Sequence, residues 1–203
     1  MIHVVIDGPN VYTVNAARSI PDDRIWVTCL QANRGKGYAT RVGLLAAKSE
    51  LVAYIDGDLD VHPRSLIWAL DVIASDTLSK IGCIYGSKVH TNSKVEYPVV
   101  RRALSTCFRL LTRVLFGLPI DDSQTGLKVF RTSAISDCLA QSKEDGFLFD
   151  LELMTLLIRD NWELSPAPVE INFNYSSTIR PSSILSMLSG MIRLRVRLNR
   201  LGR

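Results

Sequence analysis

The stretch "LVAYIDGDLDVHP" (residues 51–63) poses the central question. An apolar run climbs to Ile55, and carboxylates then arrive at alternate positions: Asp56, Asp58 and Asp60. Residues two apart on a strand point the same way, so an extended chain crowds all three acids on one side. Like charges that close repel unless a cation lies between them or water separates them. The stretch is therefore either a strand ending at a metal-holding site or a solvated Asp-Gly turn, the commoner use of that dipeptide.

Upstream, "NRGKGYATRVG" (33–43) places two glycines around Lys36 and leads into small and apolar residues at helical spacing over 38–48. Such a turn offers backbone N–H groups and a positive charge to phosphate. Its spacing is not that of a P-loop. Nor is it Gly-x-Gly-x-x-Gly, since Thr40 stands where the last glycine belongs. An ordinary strand–helix turn fits it as well. Earlier, "IHVVID" (2–7) reads as a buried strand broken by "DGPN", and "IWVTCLQ" (25–31) as a second strand. Downstream, "PRSLIWALDVIA" (63–74) reads as a helix with proline in its first turn, and "IGCIYGS" (81–87) as another strand. This alternation predicts an α/β fold with a mainly parallel sheet flanked by helices. Ligands in such sheets bind beyond the carboxyl ends of the strands, where Asp7, the Lys36 loop and Asp56 fall.

The second half is less regular. Helices are predicted over about 98–116, 132–141 and 149–160, with a short strand in "TGLKVF" (125–130). "ELSPAPVEINF" (163–173) is extended and proline-broken, which suits an edge strand, and a basic helix follows Pro181. "DDSQTGLKVFR" (121–131) reads as a turn and an amphipathic strand carrying Asp122, Gln124 and Lys128. In "GFLFDLELM" (146–154), Asp150 and Glu152 lie about 200° apart on a helix, so they face different surroundings. One of them is expected to be a solvent-facing or helix-start charge.

The 203 residues are 47% hydrophobic and 22% charged, which suits one well-filled domain over 1–203 and is short for two. Cys29, Cys83, Cys107 and Cys138 form no Cys-x-x-Cys pair, and no secretory pattern opens the chain. A reducing, cytoplasmic setting is expected. No run reaches the roughly 18 apolar residues of a membrane span. Net charge is +4, and its distribution matters more than its sum. Residues 97–120 hold Arg101, Arg102, Arg109 and Arg113 without an acid, and 171–203 hold six arginines without one. Basic amphipathic helices of this kind suit an anionic membrane surface, nucleic acid or an acidic partner. Core-packing helices with solvated arginine faces fit the pattern equally well. No recognised nucleic-acid module is present, so nucleic acid is not expected as a partner.

Taken in order, "VVIDG", "NRGKGYATRVGLLAAKSELVAYIDGDLDVHP", "YGSK", "DDSQTGLKVFR", "FLFDLEL" and "PAPVEI" resemble the family-2 inverting glycosyltransferases of the GT-A fold. Within them the chain looks most like the dolichyl-phosphate mannose and glucose synthase branch. The resemblance covers roughly 2–190 and implies a nucleotide-binding half over about 1–90 and an acceptor half over about 91–180. The basic helix 181–203 follows. It implies that Asp7 contacts the base or ribose and that Lys36 lies near the donor. Asp56 and Asp58 match the Asp-x-Asp pair for Mg²⁺ or Mn²⁺ and the diphosphate. Asp60 falls where relatives have a residue that reaches the metal, and Asp122 matches an aspartate close to the acceptor.

The implied reaction moves a sugar from a UDP- or GDP-sugar, with inversion, to a polyprenyl phosphate, by a protein peripheral on the cytoplasmic membrane face. A phosphate acceptor needs cationic positioning, for which Arg101, Arg102 and Arg131 are candidates, while Asp122 or Asp150 are the candidate catalytic bases. The family pattern has another strand before "IHVVID", and "DGPNVYT" replaces its usual Asp-Gly-Ser-x-Asp. The strand 2–7 is therefore expected to lack a neighbour. The alternative is a truncated or non-catalytic relative that binds membrane or a partner.

Overall fold

The computed structural model describes residues 1–96, 99–172 and 181–201; the side chains of 99–101, 103, 181–186 and 201 lie outside the described set. Two parallel strands, β1 (Ile2–Ile6) and β2 (Ile25–Cys29), are joined by helix α1 (Val11–Arg18). The sequence reading missed α1. Asn10 caps it, its side-chain oxygen accepting the Thr13 N–H at 3.0 Å. Helix α2 (Lys36–Leu45) leads to β3 (Leu51–Ile55), α3 (Arg64–Ala74) and β4 (Ile81–Ser87). Then come β5 (Lys94–Glu96), α4 (Val99–Phe116), β6 (Leu127–Arg131), α5 (Thr132–Gln141) and α6 (Phe149–Arg159). The chain ends with β7 (Glu163–Pro168), β8 (Glu170–Asn172) and α7 (Pro181–Leu201).

The central sheet has the order β3-β6-β4-β7. Strands β3, β4 and β7 run together, and β6 runs against both its neighbours, so one strand departs from the expected parallel arrangement. The proline-broken strand β7 takes the sheet edge, as its sequence predicts. Side-chain alternation divides the core into two layers. Cys83, Tyr85 and Phe130 face α5, α6 and α7 through Ile135, Leu153 and Leu194. Ile84, Leu127 and Val129 face α3 through Ala69 and Ile73.

Among the described residues, β1 pairs only with β2 and β3 only with β6. Each keeps one unpaired edge, and α2 packs on both strands. This matches the expectation that the first strand lacks a neighbour. The carboxyl ends of β1, β3 and β4 and the start of β6 gather on one side of the molecule, which places the site.

Candidate active site

Asp7 follows β1, and its two carboxylate oxygens accept the backbone N–H groups of Arg34 at 2.7 Å and Gly35 at 2.9 Å. The carboxylate thus holds the turn that opens α2. Gly35 has φ +105°, and a Cβ there would overlap the Asp145 carbonyl, so only glycine lets the turn pass. The turn delivers Lys36, whose Nζ lies 2.7 Å from Asp56 Oδ2. Burial alone would lower the Lys36 pKa, but Asp150 and Asp56 outweigh it and the net shift is upward. Lys36 is therefore a fixed cation at the end of β3.

Strand geometry stops at Ile55, so the three acids do not share one face. Asp58 lies exposed on a turn that Leu59 closes with φ +59°, and its Oδ1 accepts the Asp60 N–H at 3.1 Å. The Asp60 carbonyl accepts the Asn172 N–H at 3.0 Å, which ties the turn to β8. Among the described residues no three acidic, His or Cys groups converge on a metal-sized point. The donor set is all oxygen, with one exposed carboxylate at Asp58 and one braced by Lys36 at Asp56. That set fits a hard divalent cation that takes one or two carboxylates and completes its shell with phosphate and water.

A second group lies beyond β4. Asp122 accepts the N–H groups of Gln124 and Thr125, both at 3.0 Å, and the Thr125 hydroxyl at 2.7 Å. Lys88 Nζ stands 3.1 Å from it, and the Lys88 N–H donates to it at 3.2 Å. Burial pushes the Asp122 pKa up, but Lys88 and Thr125 pull it down further, and the net shift is downward. The candidate base at Asp122 is thus a carboxylate held by Lys88 and by the donors of its own turn. These contacts shape the 122–125 turn.

That turn and α4 enclose a cavity of about 210 Å³ bordered by Lys88, Arg102, Arg109, Thr112 and Asp121. Asp121 Oδ1 and Thr112 Oγ1 are buried there without a hydrogen-bond partner among the described residues. Arg101 lies on the same helix, and its side chain is outside the described residues. Arg131 is not brought to this end. It closes β6 opposite Leu51, at the far end of β3 from Asp56, and binds Asp76 and the Ile81 carbonyl.

Asp150 is 4% exposed and Glu152 fully buried, so neither faces solvent; both lie in the first turn of α6, the helix-start placement that was the other expectation. They do face different surroundings. Asp150 accepts the Tyr54 hydroxyl and lies 3.6 Å from Lys128 Nζ. Glu152 accepts the N–H groups of Lys143 and Glu144 and binds Arg197 of α7 at 2.6 Å. Asp150, the other candidate base, is close enough to Lys36 for its charge to raise the lysine's pKa.

The model of the family described as "Glycosyl transferase family 2" matches residues 1–139. The chain belongs to that family. This family-2 chain is 29% identical over 150 residues to the yeast Saccharomyces cerevisiae dolichyl-phosphate beta-glucosyltransferase, covering 68% of this chain and 44% of that protein. It is 23% identical over 204 residues to the Dictyostelium discoideum enzyme of the same name, covering 97% of this chain and 62% of the relative. It thus spans about half the length of the curated relatives it matches. Glucosyl-3-phosphoglycerate synthase from Mycobacterium tuberculosis, solved with UDP, superposes with TM-score 0.64 at 15% identity, over 96% of this chain and 67% of that one. The same enzyme with Mn²⁺, UDP and glucosyl-3-phosphoglycerate gives TM-score 0.59 at 17% identity, over 94% of this chain and 64% of that one. At such identities these structures establish the GT-A fold.

Sequence reasoning on this family-2 chain missed Lys88, Arg109, Thr112 and Asp121 as neighbours of the site. Lys88 and Asp121 lie within the segments "YGSK" and "DDSQTGLKVFR" without being singled out there, Arg109 and Thr112 lie in no motif, and tertiary packing brings the four together. Lys128 was read as part of an amphipathic strand, whereas β6 is buried on both faces.

Proposed function

We propose that the chain transfers glucose from a nucleoside diphosphate sugar, UDP-glucose first, to a polyprenyl phosphate, with inversion at the anomeric carbon. The observation that carries this reading is the Lys36–Asp56 pair with exposed Asp58 at one strand end, beside a cavity bordered by arginines. The names of the curated relatives support the sugar and the acceptor class, and the UDP-bound structures support the base.

Lys36 stands where the diphosphate of the donor is expected, and its positive charge favours charge build-up on the leaving group. Asp56 and Asp58 are the residues that would hold Mg²⁺ or Mn²⁺, which supplies Lewis-acid stabilisation of that diphosphate. An acceptor phosphate carries its own negative charge near neutral pH. Its oxygen attacks the anomeric carbon from the face opposite the diphosphate, the carbon–oxygen bond to the diphosphate breaks, and the leaving group departs with the electron pair. No side-chain base is needed, in keeping with the engaged state of Asp122 and the burial of Asp150. Arg102 and Arg109 orient the acceptor phosphate.

Attachment to the membrane face is peripheral in this reading. Helices α4 and α7 touch, and they expose Leu110, Val114, Ile192 and Val196 beside Arg113 and Arg193. Among the described residues no helix is long and apolar enough to cross a membrane.

The test is thermal denaturation with UDP, GDP and their glucose and mannose conjugates, each with Mn²⁺ or with EDTA. At about 100 times the dissociation constant a ligand stabilises by about 2.7 kcal/mol. That gain is expected with Mn²⁺, and Asp58→Asn should lose most of it while keeping its fold. Equal shifts in both proteins for all nucleotides would overturn the donor site. A second reading, a non-catalytic scaffold, is favoured by the unpaired edges of β1 and β3, and it expects no metal-dependent shift at all.

A further inference from the structure

Lys128 is fully buried at the centre of the sheet, cross-strand from Tyr54 on one side and Tyr85 on the other. Taking an ammonium group out of water is costly, and an apolar side chain of the same volume is often as stable there. Stability alone therefore gives no reason for a lysine at this position. Its contacts do. Lys128 Nζ donates to the Thr125 carbonyl at 2.8 Å and faces Asp150 at 3.6 Å, while Asp150 accepts the Tyr54 hydroxyl.

The peptide that Lys128 holds is the hinge between the two halves of the site. On one side, Thr125 binds Asp122 and its hydroxyl accepts Lys88 Nζ at 2.9 Å, which shapes the cavity wall. On the other, the Gly126 carbonyl accepts the Asp56 N–H at 2.9 Å, and a Cβ on Gly126 would overlap the Asp56 carboxyl. Asp56 therefore rests directly on the turn whose other flank borders the arginines. Tyr54, two residues before Asp56, closes the loop through Asp150.

We propose that Lys128 is a positioning residue that, braced by Asp150 and Tyr54, locks the 122–126 turn and so fixes the spacing between the Asp56 end of the site and the cavity behind Asp122. It touches neither substrate. Its kinetic consequence rests on the sugar-transfer reading, whereas its structural consequence does not.

Removing Lys128 alone strands the Asp150 charge, so the informative variant is Lys128→Met with Asp150→Asn, which removes the pair and keeps an acceptor for Tyr54. Two measurements are made on the full chain: amide hydrogen exchange, and steady-state kinetics with UDP-glucose and a short-chain polyprenyl phosphate. Exchange at 122–127 and at the Asp56 amide should quicken about tenfold or more, with β4 amides unchanged. A displacement near 1 Å between reacting groups should lower kcat about 100-fold, with both KM values within about threefold. Unchanged exchange in the turn, or a loosened turn with wild-type kcat, overturns the proposal. So does a double variant that fails to fold, because Lys128 would then be holding the sheet and not the turn. If wild-type protein transfers no sugar, the functional reading fails while the exchange result still decides the role of Lys128.

Discussion

Two sheets of the molecule are built from similar apolar strands and reach different degrees of burial. In the β1–β2 pair only Ile6 is buried, Ile2 and Trp26 are exposed, and α1 buries no residue. In the β3-β6-β4-β7 sheet, six of the seven β4 residues and four of the five β6 residues are buried. The difference lies in neighbours and not in hydrophobicity. Strands β4 and β6 are paired on both sides and covered on both faces, while β1 and β3 each keep an open edge. An open edge leaves backbone groups to water and side chains half covered. The end of the candidate site that runs from Asp7 through Lys36 to Asp56 is built across the weaker part. The wall of the cavity, from Lys88 through Asp122 to Thr125, is anchored in the stronger one.

If that contrast holds, substitutions should separate the regions by size of effect. Arg197→Met leaves Glu152 buried without its cation, which should cost about 3–5 kcal/mol in urea unfolding, the largest single loss. Leu156→Ala, in the fully packed α6, should cost about 2–5 kcal/mol. Val4→Ala, on half-buried β1, should cost less than about 1.5 kcal/mol in the same assay. Equal losses at Leu156 and Val4 would erase the distinction. A polypeptide carrying an apolar strand ahead of Met1 should pair the free edges of β1 and β3, raising protection of β1 amides about tenfold and leaving β4 amides as they are.

A smaller effect concerns acid. The folded-state pKa of Asp122 is below its unfolded value, so its stabilisation is complete above about pH 4 and disappears as pH falls through the folded value. Asp122→Asn should lack this loss, and stability curves of the two proteins should converge below it. Smallest is the surface term. Each exposed arginine such as Arg113 of α4 and Arg193 of α7 is expected to contribute about 1 kcal/mol near an anionic bilayer at low salt, so anionic vesicles should co-float with the protein and neutral ones much less. Raising salt should abolish the difference.

The sequence by itself determined most of the elements. The helices over 132–141 and 149–160 and the strand over 81–87 stand where periodicity places them, because each is long or apolar enough for local pattern to decide. Asp7, Lys36, Asp56 and Asp58 were legible for the same reason: they lie at strand ends or in a glycine-flanked turn, positions fixed by the local chain. Tertiary structure alone decided the antiparallel course of β6, since direction depends on which strands flank it. It also chose the partners of the carboxylates. Asp122 meets Lys88, and Asp150 meets Lys128 and Tyr54, each 22 or more residues away in sequence. Arg131 was drawn to the opposite end of the sheet by the register of β6 against β3. A side chain's charge can be read from sequence, but its solvation and partners depend on which distant segments pack around it, and those two decide what the charge does.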